Sequence, residues 1–221
     1  MDIDAGGCSA RLRRVPQQSR SRERVEKILD SAAAQVVAGG VETLSTRAIA
    51  EGAEVPVASL YQYFADRDDI LLALVERDIA AMDDQVHAAV AALPCYSIAA
   101  IVETTMAAFL KAYEERPAFV VIWLRGRTNA AIKEYCRDHN RRLGGELYKV
   151  ADDLGLFGPE ADPCYAELAV EIGDRLFQVA FENDLDGDAM VLEEAVKVVT
   201  AYLQLYASEK GLHGVPATLV R

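Results

Sequence analysis

Side chains that could recognise base pairs are concentrated within residues 44–72 of the chain. Ser59 and Gln62 carry groups that can hydrogen-bond to base edges, and Gln62 matches adenine in particular. Val57 and Ala58 could contact a thymine methyl group. None of these four side chains is charged, so the chemistry they support is non-covalent recognition by hydrogen bonds and apolar contact.

Cationic side chains flank this stretch. Arg67 begins a predicted helix, where backbone N–H groups and a positive side chain can hold one phosphate together. Arg47 follows Thr46 at the opening of a shorter predicted helix, and it could hold a phosphate or reach a base. The alternative for Arg67 is a surface ion pair with Asp66 or Asp69.

The sequence patterns of common catalytic and metal sites are missing. There is no glycine-rich phosphate loop and no G-x-S-x-G or H-E-x-x-H motif. His87 lies one helical turn from Asp83 and Asp84, which could bind a metal, but a solvated helix face is the simpler interpretation. The cysteines are too far apart in sequence for a redox pair or zinc site and are expected to be reduced and buried: Cys8, Cys95, Cys136 and Cys164. We therefore expect no enzyme activity, no metal and no cofactor.

The elements that must position these side chains are all predicted to be helices, because apolar residues recur at helical spacing and no segment shows convincing strand alternation. Ser45 is the expected N-cap of the second helix and Asp66 that of the fourth. Pro56 suits the first turn of the third. The predicted helices cover about residues 23–38, 46–53, 56–64, 67–92, 97–115, 130–154, 163–182 and 188–209, with a short apolar piece at 118–124.

The net charge of −12 is unevenly distributed along the chain. Residues 1–67 hold nine basic and nine acidic side chains, so the excess of acid belongs to residues 68–221. Within residues 11–27, seven side chains are basic and two are acidic. Such a segment could neutralise DNA phosphates; a solubilising tail is the alternative.

Two short helices a few residues apart are typical of a helix-turn-helix, which places one helix in the major groove of DNA. The segment from Arg22 to Glu76 resembles the DNA-binding domain of the TetR family of transcriptional regulators. It contains S-T-R-x-I-A, then V-A-S-L-Y-Q-Y-F, then D-R-D-D-I-L. Pro56 departs from the family pattern, because many members have Ser there. The family pattern L-Y-x-[HY]-F, followed by a turn and a basic residue, is matched by Leu60, Tyr61, Tyr63, Phe64 and Arg67.

The resemblance implies an all-α fold, in which an N-terminal three-helix helix-turn-helix domain is joined by a long helix to a C-terminal helical bundle. The domains would be a flexible basic arm (1–21), the DNA-binding domain (22–67) and an effector-binding and dimerisation domain (68–221). Leu60 and Phe64 should be core, whereas Tyr61 and Tyr63 should present exposed hydroxyls to phosphates. The DNA-binding residues implied are Thr46, Arg47, Val57, Ala58, Ser59, Tyr61, Gln62, Tyr63 and Arg67.

The same resemblance implies a small-molecule site inside the helical bundle, although each of the candidate residues, taken singly, is more often plain core than pocket lining. The acidic composition of this part favours a neutral or cationic ligand. The last two helices carry apolar stripes long enough for a dimer interface; the alternative is that both stripes are satisfied within one chain. The candidate ligand-binding residues are Met106, Phe109, Tyr113, Phe119, Trp123, Tyr135 and Phe177.

The sequence therefore predicts a ligand-responsive DNA-binding regulator, a repressor released from a palindromic operator when a small molecule binds. Its partners would be double-stranded operator DNA, an unidentified effector and a second copy of the chain. An all-helical adaptor that contacts proteins is the alternative. No apolar run approaches the ~20 residues of a membrane span, and the polar N-terminus lacks a secretory signal, so a cytoplasmic location without a membrane partner is expected.

Overall fold

The computed structural model describes residues 19–125 and 129–219 of the chain. Within these residues the fold is helical, as the sequence predicted, and it divides into two compact units. Unit one runs to Ala80 and also contains Arg116–Tyr135. Unit two contains Ala81–Glu115 and the chain from Cys136 onward. The first unit is thus larger than the predicted DNA-binding segment 22–67.

The helices agree with the predicted ones over most of their lengths. Three helical turns of other geometry accompany them, a π-helical turn at Val120–Leu124 and 3₁₀ turns at Val41–Thr43 and Ala217–Leu219. In chain order the α-helices are α1 (Ser19–Gly39), α2 (Thr46–Gly52), α3 (Val57–Leu60), α4 (Arg67–Ala91), α5 (Ile98–Glu115), α6 (Pro117–Phe119), α7 (Ala130–Asp153), α8 (Pro163–Ala180), α9 (Ala189–Gln204) and α10 (Glu209–His213).

Capping side chains account for several of these boundaries. The Ala48 N–H donates to the Ser45 hydroxyl over 3.2 Å at the start of α2. At the start of α4, one Asp66 oxygen accepts from the N–H groups of Asp68 and Asp69 over 2.9 and 3.0 Å. Both caps were predicted, because short polar side chains satisfy N–H groups that have no partner inside the helix.

Three helix boundaries differ from the sequence expectation. α1 begins at Ser19 rather than near Glu23, so the end of the supposedly flexible arm is helical. α3 ends at Leu60, and residues 61–63 form a turn instead of a further helical turn. The last predicted helix ends at Gln204, and the Ser208 hydroxyl then caps α10 by accepting from the Gly211 N–H over 3.2 Å.

The expectation that no strand is present is wrong for a two-stranded antiparallel sheet. Strand β1 (Cys95–Tyr96) pairs with β2 (Val215–Pro216), with Tyr96 opposite Val215. Two residues are too few to show the alternation by which a strand is recognised in a sequence. The pairing also joins segments about 120 residues apart, so only the folded chain reveals it.

The core of unit one lies where α1 packs against α2 and against α6 with its following π-helical turn. The Ser31 hydroxyl of α1 donates to the Ile49 carbonyl of α2 over 3.0 Å. The largest fully buried side chains of this unit come from α1, α2, α3, α4, the turn after α3, the π-helical turn and α7: Ile28, Val36, Ile49, Leu60, Phe64, Ile70, Leu74, Val75, Ile122 and Ile132.

The core of unit two lies where α9 packs against both α5 and α8. α7 and α8 also approach closely at Gly144, because a Cβ built there would lie 2.7 Å from the Glu167 Cα. A Cβ built on the adjacent Gly145 would have no neighbour within 4 Å. Among the described helices, none is long and apolar enough to cross a membrane.

The adjacent glycines of α7 give a matched stability test. We expect Gly144→Ala to lower the free energy of unfolding by about 1–3 kcal/mol, because the added methyl meets backbone that cannot rotate away. Gly145→Ala should raise it by up to about 1 kcal/mol through helix propensity. Urea unfolding followed by circular dichroism measures both. Equal stabilities of the two variants would contradict the close helix approach.

Candidate nucleic-acid interface

The third helix is anchored by one apolar face. Leu60 is 0% exposed and Phe64 is 1% exposed, as the sequence predicted for this i, i+4 pair. α2 packs against both α1 and α3, so these two side chains contribute to the core of unit one. Burial of this face fixes which side chains of the short helix turn outward.

The opposite face of α3 is open to solvent. Val57 is 39% exposed and Tyr61 is 42% exposed, while Ala58 and Gln62 are also exposed and Ser59 is half-buried. This face is therefore accessible to solvent, with Ser59 the least exposed of its members. A surface with one amide, two hydroxyls and two apolar tips suits base edges, since it can pair with adenine and contact thymine methyl groups.

Glu54, in the turn before α3, has a left-handed backbone with a φ of 56°. Within the part of the chain that the structure describes, it is the only residue other than glycine with this conformation. Pro56 then occupies the N-cap position of α3, and no side chain caps this helix. The sequence expectation that Pro56 opens the helix is thus correct to within one residue. The N–H groups at the start of α3 are not occupied by a capping side chain.

The two tyrosines after Leu60 have different environments. The Tyr61 hydroxyl lies 3.0 Å from the Thr46 hydroxyl, which links α3 to the first residue of α2 at the surface. The expectation of an exposed Tyr63 is wrong, because its ring is only 4% exposed and its hydroxyl lies 2.9 Å from the Ser21 hydroxyl. The bond to Ser21 joins Tyr63 to the first turn of α1, and no sequence pattern indicated that contact. Its assignment to phosphate stays a prediction.

The backbone N–H groups around the start of α4 have more side-chain hydrogen-bond acceptors than the sequence predicted. Asp66 caps its N–H groups, and an Asp69 oxygen accepts from the Ala65 N–H over 2.8 Å. Asp66 and Asp69 accept from backbone amides and form no ion pair with Arg67, whose Nε lies 3.6 Å from Asp68 Oδ1 instead. Both members of this pair are about half exposed, so water screens it strongly. Arg67 thus has freedom to turn toward an incoming phosphate.

The basic segment before the helix-turn-helix is partly ordered as helix. Arg20, Arg22 and Arg24 are exposed on the first turns of α1. The Ser21–Tyr63 contact holds this turn beside the residues that follow α3. Arg47 is exposed on α2 as well. The remaining arginines of the predicted arm lie outside the described residues: Arg11, Arg13 and Arg14.

An ion-pair cluster ties α4 to α1. Arg77 Nη1 lies 2.7 Å from Asp30 Oδ1 and 3.2 Å from Glu26 Oε2. Burial alone would lower the pKa of Arg77, but hydrogen bonds to Asp30 and Glu26 and the nearby Asp78 charge outweigh it and raise that pKa. The adjacent Asp78 is 5% exposed, and burial raises the pKa of its carboxyl despite the attraction of Arg77 and Arg116. The sequence pattern did not single out this cluster, although Arg77 and Asp78 interrupt the mainly apolar stretch of residues 70–82.

The predicted ligand-binding residues fall in both units. Phe119 is buried in unit one, where Trp123 and Tyr135 are half-buried. The other four, all in unit two, are buried: Met106, Phe109, Tyr113 and Phe177.

An aromatic cluster in unit two is centred on Tyr113. Its ring centroid lies 6.0 Å from that of Phe109, 5.5 Å from that of Phe177 and 5.6 Å from that of Phe181. Burial raises the pKa of the Tyr113 hydroxyl well above its ordinary value, with the Asp174 and Cys136 charges adding to the effect. Phe181 was missed by the sequence analysis, although it follows Phe177 by four residues.

The histidines do not assemble a metal site with their neighbours in sequence. Asp83 Oδ1 lies 2.7 Å from His139 Nε2, and His87 Nε2 lies 3.1 Å from Glu146 Oε2. Across residues 19–125 and 129–219, no group of three or more acidic, histidine or cysteine side chains could hold a metal ion. The cysteines differ from one another: Cys136 is buried, whereas the expectation of burial is wrong for Cys95 and Cys164, which are exposed; Cys8 lies outside the described residues.

Comparisons with known proteins agree with this arrangement. Residues 28–74 match the family described as bacterial regulatory proteins, tetR family, and residues 96–207 match the tetracyclin repressor-like C-terminal domain. Curated relatives include the HTH-type transcriptional repressor KstR of Mycolicibacterium smegmatis, 39% identical over 62 residues, and that of Mycobacterium tuberculosis, 37% identical over 62 residues. Both matches cover 28% of this chain, and they span 30% and 28% of those relatives.

Solved structures show the same fold over most of the chain. A TetR-family transcriptional regulator from Streptomyces coelicolor is 27% identical, with a TM-score of 0.66, and the match covers 83% of this chain and 99% of that one. SmeT, the repressor of the Stenotrophomonas maltophilia multidrug efflux pump SmeDEF, is 19% identical, with a TM-score of 0.62, over 89% of this chain and 96% of that one. A helix-turn-helix with an exposed α3 face, together with family matches over both parts of the sequence, places this chain in the TetR family of bacterial regulatory proteins.

Proposed function

We propose that this protein is a transcriptional regulator that binds operator DNA through the exposed face of α3, and that it acts as a repressor. The observation that carries the proposal is the geometry of α3: Leu60 and Phe64 are buried while Val57, Ala58 and Gln62 face solvent. Repression is suggested by the curated KstR relatives, whose names describe them as transcriptional repressors.

The proposed contacts fall into two classes. Uncharged side chains of α3 read base edges: Ser59 and Gln62 by hydrogen bonds, Val57 and Ala58 by apolar contact. Phosphate contacts come from the surrounding residues and fix the register without reading sequence. The phosphate-contacting group is Thr46, Arg47, Tyr61, Tyr63, Arg67 and the basic turn of α1.

The charge distribution supports this division of roles. The chain is acidic overall, so a phosphate backbone meets net repulsion except where cations are grouped. Arg20, Arg22 and Arg24 are exposed at the start of α1, which the Ser21–Tyr63 contact holds beside the helix-turn-helix. Much of the sequence-independent affinity should therefore come from this turn and from the segment that precedes it.

A chain with so small a reading surface requires a second copy. We propose a homodimer through α8 and α9, which binds two half-sites of a near-palindrome about one DNA turn, ~34–36 Å, apart. α8 exposes Leu168 (50%) and Val179 (41%), and α9 exposes Val198 (44%), so each helix keeps apolar side chains on its surface that a second copy could cover. The region from residue 68 onward would then serve dimerisation and effector binding.

Release of DNA by a small molecule completes the proposal. The aromatic cluster around Tyr113 is the part of the predicted ligand set that the structure brings together within one unit. We propose that Met106, Phe109, Tyr113 and Phe177 line an effector site there. The unit-one members of the set, Phe119, Trp123 and Tyr135, are proposed as effector contacts as well.

Selection from a random duplex pool tests the DNA-binding function directly. We expect enrichment of a near-palindromic sequence. Its affinity for the protein should fall steeply with salt, because arginines that bind phosphates displace counterions from the DNA and added salt opposes that release. Gel shifts over a salt series measure both properties. An absence of sequence preference, or an affinity that salt does not change, would contradict the proposal and favour an adaptor that contacts proteins.

Two substitutions separate base reading from backbone contact. Gln62→Ala should remove discrimination at one base pair, worth about 1–3 kcal/mol, and alter the selected sequence. Tyr63→Phe should weaken binding to all sequences alike, because its hydroxyl contacts phosphate or holds Ser21 in place. Repeated selection with each variant measures the difference. Gln35→Ala, which removes an α1 amide that bonds Ser31, is the control for loss of an amide outside α3. A Gln62→Ala protein with unaltered preference would refute the assignment.

The dimer surface has a matched pair of apolar residues for testing. Val198 on α9 is 44% exposed and Val37 on α1 is 43% exposed. We expect Val198→Glu to produce a monomer at micromolar concentration, because it places a charge in an apolar interface, while Val37→Glu stays dimeric. Size-exclusion chromatography with light scattering gives both masses. A monomeric parent protein would remove the dimer from the proposal.

A further inference from the structure

A cavity of about 330 Å³ lies in unit two, apart from the aromatic cluster around Tyr113. Its apolar walls come from the last turns of two helices: Val90 near the end of α4, and Leu147 and Val150 of α7, with Leu154 just beyond. The volume is at the lower end of the range for small-molecule sites. A compact apolar body would fit these walls.

One wall is held in place by the small sheet. Tyr96 of β1 lines the cavity, and its hydroxyl donates to the Ala91 carbonyl, the last residue of α4, over 3.3 Å. Val215 of β2 pairs with Tyr96, so the C-terminal segment fixes the position of this ring. The face of a fixed tyrosine is also favourable for a cation.

The electrostatics of the cavity favour a positive ligand. The carbonyl ends of α4 and α7 both reach it, and carbonyl ends carry partial negative charge. Neither helix has a basic residue in its last turn. Instead, α7 ends at Asp153, a carboxylate at the end of a helix where an acidic side chain is unfavourable. Lys210 lies beside Gly155, just past α7, but it does not line the cavity.

A second carboxylate lies on the same cavity. Glu146 Oε2 lies 3.1 Å from His87 Nε2, in a pair that joins α7 to α4 and in which both side chains are more than half exposed. A carboxylate can accept about four hydrogen bonds, so Glu146 retains capacity beyond His87. Asp153 supplies further acceptors on the same lining.

From this combination we propose that the cavity binds a small organic monocation, a protonated amine on a compact apolar body. The apolar body occupies the walls between α4 and α7, and the ammonium donates hydrogen bonds to Glu146 and Asp153 near the face of Tyr96. The binding itself does not depend on DNA recognition.

Three probes with the same apolar body test the charge preference. 2-Phenylethylamine is a cation at neutral pH, 2-phenylethanol is neutral and phenylacetate is an anion. Isothermal titration of the full chain without DNA should give the tightest binding for the amine, by roughly tenfold over the alcohol, and the weakest for the anion. Equal affinities, or no binding of the amine, would overturn the proposal while leaving the DNA-binding function untouched.

Substitutions inside and outside the cavity test where the amine binds. Glu146→Gln should weaken the amine by roughly tenfold and leave the alcohol unchanged, since it removes a charge but keeps the side-chain shape. Glu103→Gln, an exposed carboxyl of α5 outside the cavity, is the matched control. Val150→Trp fills the cavity without changing charge and should weaken both amine and alcohol. Circular dichroism confirms that each variant is folded. An equal loss in Glu103→Gln and Glu146→Gln would refute the site.

Discussion

The arrangement of the proposed DNA-reading surface depends on the burial of one face of a four-residue helix. α3 is too short to be stable by itself, because a single helical turn costs more conformational entropy than its hydrogen bonds return. Leu60 and Phe64 make it part of the unit-one core. Once they are buried, the helix can rotate very little. The side chains of Ser59 and Gln62 therefore leave the helix in a defined direction, because the buried Leu60 and Phe64 orient the backbone that carries them.

The hydroxyl contacts around α3 extend the same constraint to its surroundings. Tyr61 joins α3 to the start of α2 through Thr46, and Tyr63 joins the following turn to the start of α1 through Ser21. The basic turn of α1 and the uncharged face of α3 thus belong to the same compact unit and are joined by side-chain contacts. Phosphate contacts and base contacts can then act in a fixed register, as specific DNA recognition requires.

Charged side chains have different roles in the two units. In unit one, Arg77 binds Asp30 and Glu26 and ties α4 to α1. The buried Asp78 beside it is offset by Arg77 and Arg116. In unit two, the Tyr113 cluster is buried and aromatic, whereas the cavity between α4 and α7 joins apolar walls to two carboxylates. One unit therefore holds two different chemical environments.

The sequence alone determined the helical class, most helix positions and the buried face of α3, because helical periodicity and capping residues act over a few neighbouring positions. Ser45, Asp66, Leu60 and Phe64 behave as their local patterns predict. Only the tertiary structure decided that Tyr63 is buried, since its partner Ser21 lies 42 residues away. Contacts of this kind, like the pairing of β1 with β2 and the cavity at the ends of α4 and α7, join segments distant in sequence. A local sequence pattern does not indicate these contacts, because they stabilise the protein only after the chain has brought the two segments together.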